Sequence, residues 1–290
     1  MYKIEIVGMR KNRDVKIVIT IIILAIIGII VCSGIIIYQK SKLQNKSVSA
    51  EIVEEEKNND TDNEEIIVED EEQTKQWLNA VDNIYNGEEG KRAFLTFDDG
   101  PSKEVTPYIL DILKKYNIKA TFFVLGTKVN QNPDILKREY EEGHYIANHG
   151  YSHKYSKIYE SANSVLEEYK KTENAIREAL GDLNYSSNLF RFPGGAYGGP
   201  YENIKKEARE KLKENGIAYL DWSALTYDAE GANTKEKILN NLKNTLKGWN
   251  NVVILMHDAS DKKVTYETLE DVIKYLKEEG YAFKNMYDLK

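Results

Sequence analysis

Arg92-Ala93-Phe94-Leu95-Thr96-Phe97, followed at once by Asp98-Asp99-Gly100-Pro101, is the stretch on which the fold turns. A run this apolar and β-prone reads as a buried strand, and the Gly-Pro pair stops it. Two carboxylates therefore stand where a core strand ends and the chain bends, the place where α/β folds hold reactive groups. Asp, Gly and Pro also favour ordinary solvated turns. Adjacent carboxylates withdrawn from water repel each other, however. A metal ion with a cationic partner would relieve them, one acid ligating while the other stays free as a base.

Outward from that strand the pattern alternates. Strands are expected at Ala93–Phe97, Ala120–Leu125, Tyr145–Asn148, Asn188–Phe192, Ile217–Trp222 and Val252–Met256. Helices are expected at Val105–Tyr116, Asp134–Glu142, Ser161–Leu180, Tyr201–Asn215, Thr234–Lys247 and Thr265–Glu279. Pro133 opens one helix, and Gly216 and Gly280 follow two others as C-terminal caps. Such alternation predicts one α/β domain on a parallel sheet, barrel-like or open, over residues 91–290.

Upstream the composition changes. Ile17 to Ile37 is 21 residues without a charge, long enough at ~1.5 Å per residue to cross the hydrocarbon core. Lys3, Arg10, Lys11, Arg13 and Lys16 precede it against Glu5 and Asp14, which keeps the N-terminus cytoplasmic. A cleaved signal peptide would have a shorter apolar run, and Val31 sits poorly before a lipidated Cys32. The expected layout is a cytoplasmic tail (residues 1–16), a transmembrane signal anchor (17–38), an acidic disordered linker (39–73) and a short helical lead-in (74–90). The lead-in carries Trp77, Val81 and Ile84 on one face. This places the α/β domain outside a cell membrane crossed once. The net charge of −7 argues against nucleic acid, and no obligatory protein partner is evident. The lone cysteine excludes an internal disulfide and a cysteine-based zinc cluster, so any metal needs His and carboxylate ligands.

Two of the four histidines form His149-Gly150-Tyr151-Ser152-His153. Imidazoles four apart converge on one ion if the segment turns helically, although spaced histidines are often plain surface residues. With a strand-end Asp99 they make a two-histidine, one-carboxylate set with positions left for water and substrate. His257 ends the strand Val252–Met256. Arg191, in Phe190-Arg191-Phe192-Pro193-Gly194-Gly195, is a cation able to keep a basic Asp ionised. Asp228, in Thr226-Tyr227-Asp228, is able to orient or charge an imidazole.

In order, TFDDG, HGYSH, RFPGG, DWSALTYDA and LMHD resemble the five motifs of the polysaccharide deacetylase family, the NodB-homology domain of carbohydrate esterase family four. The resemblance runs from about Lys91 to the C-terminus. It implies a distorted (β/α) barrel with one divalent metal, zinc first and cobalt as the alternative, in a groove at the strand ends. Mapped by motif, Asp98 resembles the catalytic base, Asp99, His149 and His153 the metal ligands, and His257 the general acid. Arg191 resembles the residue that tunes the base and Asp228 the one that tunes the acid. Hydrolytic N-deacetylation of N-acetylglucosamine in a cell-wall glycan, peptidoglycan above all, is the implied reaction. Chitin oligomers, exopolysaccharide or acetyl-xylan are alternative substrates, and a non-catalytic glycan-binding module is the alternative of another class. The chain departs from the pattern in two places. Gly194 stands where many members have Tyr, leaving its backbone N–H as the expected oxyanion donor, and Ala229 stands where many have Trp. Trp222 and Tyr197 are expected to line the glycan groove, with Tyr151 and Tyr227 as further stacking candidates.

Overall fold

A computed structural model describes residues 71–86 and 90–289; the expected tail, anchor and all but the end of the acidic linker lie outside the described residues. Among the described residues no helix is long and apolar enough to cross a membrane. Among the described residues the first helix, α1, covers 71–82, so the expected linker boundary at 73 falls inside it. Trp77, Val81 and Ile84 are buried together, as their spacing predicts.

Next comes β1 (Lys91–Asp98), buried along both faces from Ala93 onward. It is followed by α2 (Thr106–Tyr116), β2 (Thr121–Val124), α3 (Gly126–Gln131), α4 (Pro133–Glu141) and β3 (Tyr145–Asn148). Then come α5 (Tyr155–Ile158), α6 (Ala162–Leu180), β4 (Leu189–Phe190), α7 (Glu202–Glu214), β5 (Ala218–Tyr219) and β6 (Ala224–Leu225). The chain ends with α8 (Lys235–Thr245), β7 (Asn251–His257), α9 (Lys263–Glu278), β8 (Tyr281–Lys284) and a short 3₁₀ turn. All six expected strands and all six expected helices are present. The elements not foreseen are short: α3, α5, β6 and β8. Ser161 and Thr234, expected as first helical residues, instead cap α6 and α8, each hydroxyl accepting a backbone N–H.

Among the described residues every strand pairing is parallel, in the order β5-β4-β3-β2-β1-β7-β6, with β8 beside β1. β1 is the spine. It pairs with β7 from Arg92 to Asp98, with β2 through Thr96–Asp98, and with β8 through its first half. The sheet is a curled, open half-barrel: its outermost strands β5 and β6 share no pairing among the described residues and are joined directly by residues 220–223. Strand periodicity then sorts the side chains. Ala93, Leu95 and Phe97 pack outward beneath the helices. Phe94 packs inward with Phe123, Tyr145 and Val253, where Trp77, Val81 and Ile84 of the lead-in close the cluster. Thr96 and Asp98, next on that inner face, sit above this apolar floor at the strands' C-terminal ends.

Candidate metal centre and active site

Each candidate residue comes from the C-terminal end of a strand or the turn after it. Asp98 ends β1, and its register partner across the parallel pair is His257, the end of β7. His149 follows β3, Arg191 follows β4, and Asp228 follows β6. Residues distant in sequence are thus assembled by register rather than by local structure.

Asp99 turns away from the strand with φ +78°, a left-handed conformation costly for a non-glycine residue. Its Oδ1 lies 3.7 Å from His149 Nε2 and 3.5 Å from His153 Nε2. That oxygen is buried and has no hydrogen-bond partner. His149 Nδ1 donates to the Arg191 carbonyl oxygen at 2.8 Å, which leaves the Nε2 lone pair free toward Asp99. Burial pushes His149 down to about 3, so its imidazole is neutral, the form that ligates. Bonds of about 2.0–2.2 Å from zinc to N and O put neighbouring ligand atoms about 3.3–3.5 Å apart. The set fits a divalent ion on three protein ligands, and the orphaned Asp99 oxygen is the observation that says so.

The histidines converge by a different route from the expected helical turn. Residues 149–154 form an irregular loop in which Gly150 (φ +83°) and His153 (φ +53°) are left-handed. Glu168 of α6 holds that loop. Its Oε2 accepts the backbone N–H groups of Tyr151 and Ser152 at 2.9 and 2.7 Å, and Oε1 accepts the Ser152 hydroxyl. Asn148 Oδ1 accepts the Gly150 N–H, while its amide nitrogen donates to Glu173 and to the Tyr169 carbonyl. Glu168 and Glu173 were not singled out from the sequence. The available signal was a charge on the apolar face of a helix, each acid one residue from a buried Tyr169 or Thr172.

Asp98 and Arg191 are both buried. Arg191 Nη1 donates to Asp98 Oδ1 at 2.8 Å and to Thr96 Oγ1 at 2.7 Å, and Nε donates to the Leu220 carbonyl. The guanidinium lies over the Phe123 ring, 3.9 Å from its centroid. Oδ2 of Asp98 is left facing His149 Nε2, 3.7 Å away. Burial pushes the Asp98 carboxyl above its usual range, against the pull of Arg191 and His257. Arg191 therefore fixes Asp98 in place and offsets only part of its desolvation, which leaves a stronger base than a solvated carboxylate.

Asp228 grips His257 twice, accepting its Nδ1–H at 2.9 Å and its backbone N–H at 2.8 Å, and also accepts the Thr265 hydroxyl at 2.7 Å. Burial disfavours the imidazolium, but the Asp228 hydrogen bond and the charges of Asp228, Asp98 and Asp99 raise His257 to about 9. Burial likewise opposes the Asp228 carboxylate, yet its bonds to His257 and Thr265 hold it below its usual range. Asp258, unforeseen, packs under the strand-end turn: a Cβ on Gly100 would overlap its carboxylate, and its carbonyl accepts the Ser102 hydroxyl.

Gly194 is exposed in the turn after Pro193, with φ +74°. Trp222 stands near the Arg191 guanidinium, at 5.8 Å, and against Gly195. Tyr197 is exposed and hydrogen-bonds Tyr219, lining with Tyr85, Trp222 and Trp249 a cleft of ≈ 370 Å³. Tyr151 packs on Gly126 of α3 and accepts from Asn130, on the helical side of the loop. Tyr227 is half-exposed with φ +57°. Tyr155, at the start of α5, has its ring centroid 5.7 Å from that of His153. Burial and the Asp99 charge push its phenol above the usual range.

The polysaccharide deacetylase family profile matches residues 85–220. That span includes Asp98, Asp99, His149, His153 and Arg191 and stops short of Asp228 and His257. A Bacillus cereus protein named peptidoglycan-N-acetylglucosamine deacetylase is 34% identical over 227 residues, covering 75% of this chain and 77% of that one. A Listeria monocytogenes protein of the same description is 35% identical over 209 residues, 72% of this chain but 41% of its own length. The solved structure of a Streptococcus mutans CE4 esterase superposes with TM-score 0.65 at 33% identity, over 72% of this chain and 90% of that one. The strand-end carboxylates, the histidine loop and the buried arginine fall within one contiguous family match, on a curl shared with a solved relative. On these grounds the chain belongs to the polysaccharide deacetylase family of hydrolases.

Proposed function

We propose that the protein is a metal-dependent N-deacetylase that removes acetyl groups from N-acetylglucosamine units of a cell-wall glycan, peptidoglycan first, releasing acetate. The reading is carried by the orphaned Asp99 oxygen flanked by two imidazole nitrogens, with Asp98 Oδ2 free beside them. The substrate follows the names of the Bacillus and Listeria relatives, and the intact Asp99 agrees with glucosamine rather than muramic acid units. Residues 17–38 as anchor and 39–70 as spacer would hold the domain near the wall.

Asp99, His149 and His153 would hold a divalent ion, zinc first and cobalt second, which would supply Lewis acidity and lower the pKa of a water bound to it to ~7. The chain's own residues do the rest. Asp98 Oδ2 accepts the water proton as the new C–O bond forms on the acetyl carbon, while Arg191 fixes Oδ1 so that the free oxygen stays aimed. The Gly194 N–H donates to the carbonyl oxygen as it gains charge. His257, held as imidazolium by Asp228, gives its proton to the amide nitrogen as the C–N bond breaks, so glucosamine leaves neutral. Mass spectrometry of peptidoglycan incubated with the protein and zinc tests this: acetyl loss on glucosamine residues alone is expected. Acetate released instead only from chitin oligomers or acetyl-xylan would move the substrate while keeping the chemistry.

A further inference from the structure

Two hydrogen-bond donors stand together beside the Asp99–His149–His153 cluster with no acceptor among the described residues. One is the backbone N–H of Gly194 and the other is the hydroxyl of Tyr155, two residues after His153. A Cβ on Gly194 would lie 2.5 Å from Tyr155 Oη, so the phenol occupies the space that a side chain at 194 would fill. The ring is fixed on three sides, with centroids 5.7 Å from His153, 5.6 Å from Tyr159 and 6.2 Å from Tyr201. The Tyr159 hydroxyl donates to the Pro193 carbonyl at 2.6 Å, tying the Gly194 turn to the same aromatic group. Tyr155 thus has a packed ring and an idle hydroxyl, in a residue that is 40% accessible.

We propose that Tyr155 is a catalytic residue: its hydroxyl donates to the substrate's carbonyl oxygen as that oxygen becomes an oxyanion, alongside the Gly194 N–H. The proposal rests on the deacetylase reading above and adds a residue to it. A donor held in place by packing and unused in the resting protein needs no rearrangement when charge develops, so it stabilises the transition state more than the bound substrate. Its hydroxyl stays neutral throughout. The proton taken from water goes to Asp98 and the one given to nitrogen comes from His257. Gly194 and Tyr155 are then matched, since a larger residue at 194 displaces the hydroxyl.

Tyr155→Phe tests this because it removes one oxygen and keeps the ring. With the zinc-loaded protein and N-acetylglucosamine oligomers, kcat should fall by about 10- to 100-fold with KM nearly unchanged. Calorimetric affinity for a tetrahedral methylphosphonamidate of glucosamine should weaken by a similar factor, while zinc affinity and Tm stay as in the wild type. Unchanged kcat and analogue affinity in Tyr155→Phe would overturn the proposal. So would a parallel loss of zinc affinity, which would mean that Tyr155 acts by packing on His153. A wild-type protein that releases no acetate from any glycan would sink the functional reading itself, a result distinct from a variant as active as its parent.

Discussion

Asp98 and Asp99 are neighbours in the chain and opposites in environment. Asp98 keeps the strand's geometry, points inward and is pinned by Arg191, whereas Asp99 leaves the strand at φ +78° to face two imidazoles. Asp98→Asn should therefore lower kcat by about 10²–10⁴-fold while zinc still binds with near wild-type affinity, measured by acetate release and by metal titration. The other carboxylate–histidine pair predicts a pH dependence. His257 is raised from about 6.5 to about 9. Its contribution to stability is then fully present below ~6.5 and lost as pH climbs through about 9. Asp228, held low by the same contact, contributes above ~4 and loses this as pH falls. If His257 must be protonated to expel the amine, kcat should decline near pH 9. Asp228→Asn should draw that decline down toward ~6.5 and cost about 3–5 kcal/mol at pH 6, read from the pH–rate profile and from urea unfolding.

At the scale of elements, α6 does more than cover the sheet. Glu168 fixes the loop whose two ends are His149 and His153, so Glu168→Gln should weaken zinc binding by about 10- to 100-fold with little change in Tm. A loss of stability equal to the loss of affinity would mean that Glu168 merely supports the fold. The lead-in helix closes the opposite end of the curl. Trp77 stacks on Tyr145 and donates its indole N–H to the Asn188 carbonyl at 2.8 Å. Trp77→Ala should cost about 3–5 kcal/mol in urea unfolding and leave zinc affinity intact. These elements also show what sequence reading can reach. The long strands and helices were legible because burial imposes a period on them, and the strand-end acids and histidines because a turn follows each apolar run. β6 and β8 were not: β6 is two residues formed only because β7 lies beside it, and β8 pairs with half of β1 while one face stays exposed. The histidine pair was legible as a pair, but its turning by left-handed residues was not. Its clamp, Glu168, lies 16 residues away, brought in by packing that no local pattern encodes.

The whole molecule separates two environments along one set of strands. Inside the curl, the apolar floor is sealed by residues 77–84, and above it the polar residues converge at the C-terminal strand ends. The compact unit that carries the site runs from Glu71 to Lys290 and so includes a lead-in that the family profile, starting at 85, scarcely reaches. The upper end concentrates strain and buried charge. Asp99 carries an unpaired buried oxygen, Asp98 is desolvated, and two ligand positions hold left-handed backbone. Such a site is held by β1, β3 and β4 whether or not metal is bound, so the fold should survive chelation and lose stability rather than unfold. Zinc at 100 times its Kd adds about 2.7 kcal/mol by mass action. For a domain of this size that is a Tm rise of about 5–10 °C over the chelated protein. Differential scanning calorimetry with and without zinc should show this rise in the wild type and in Asp98→Asn, and its loss in Asp99→Ala and His149→Ala. An equal rise in Asp99→Ala would put the ion elsewhere and remove the basis for every catalytic role assigned here.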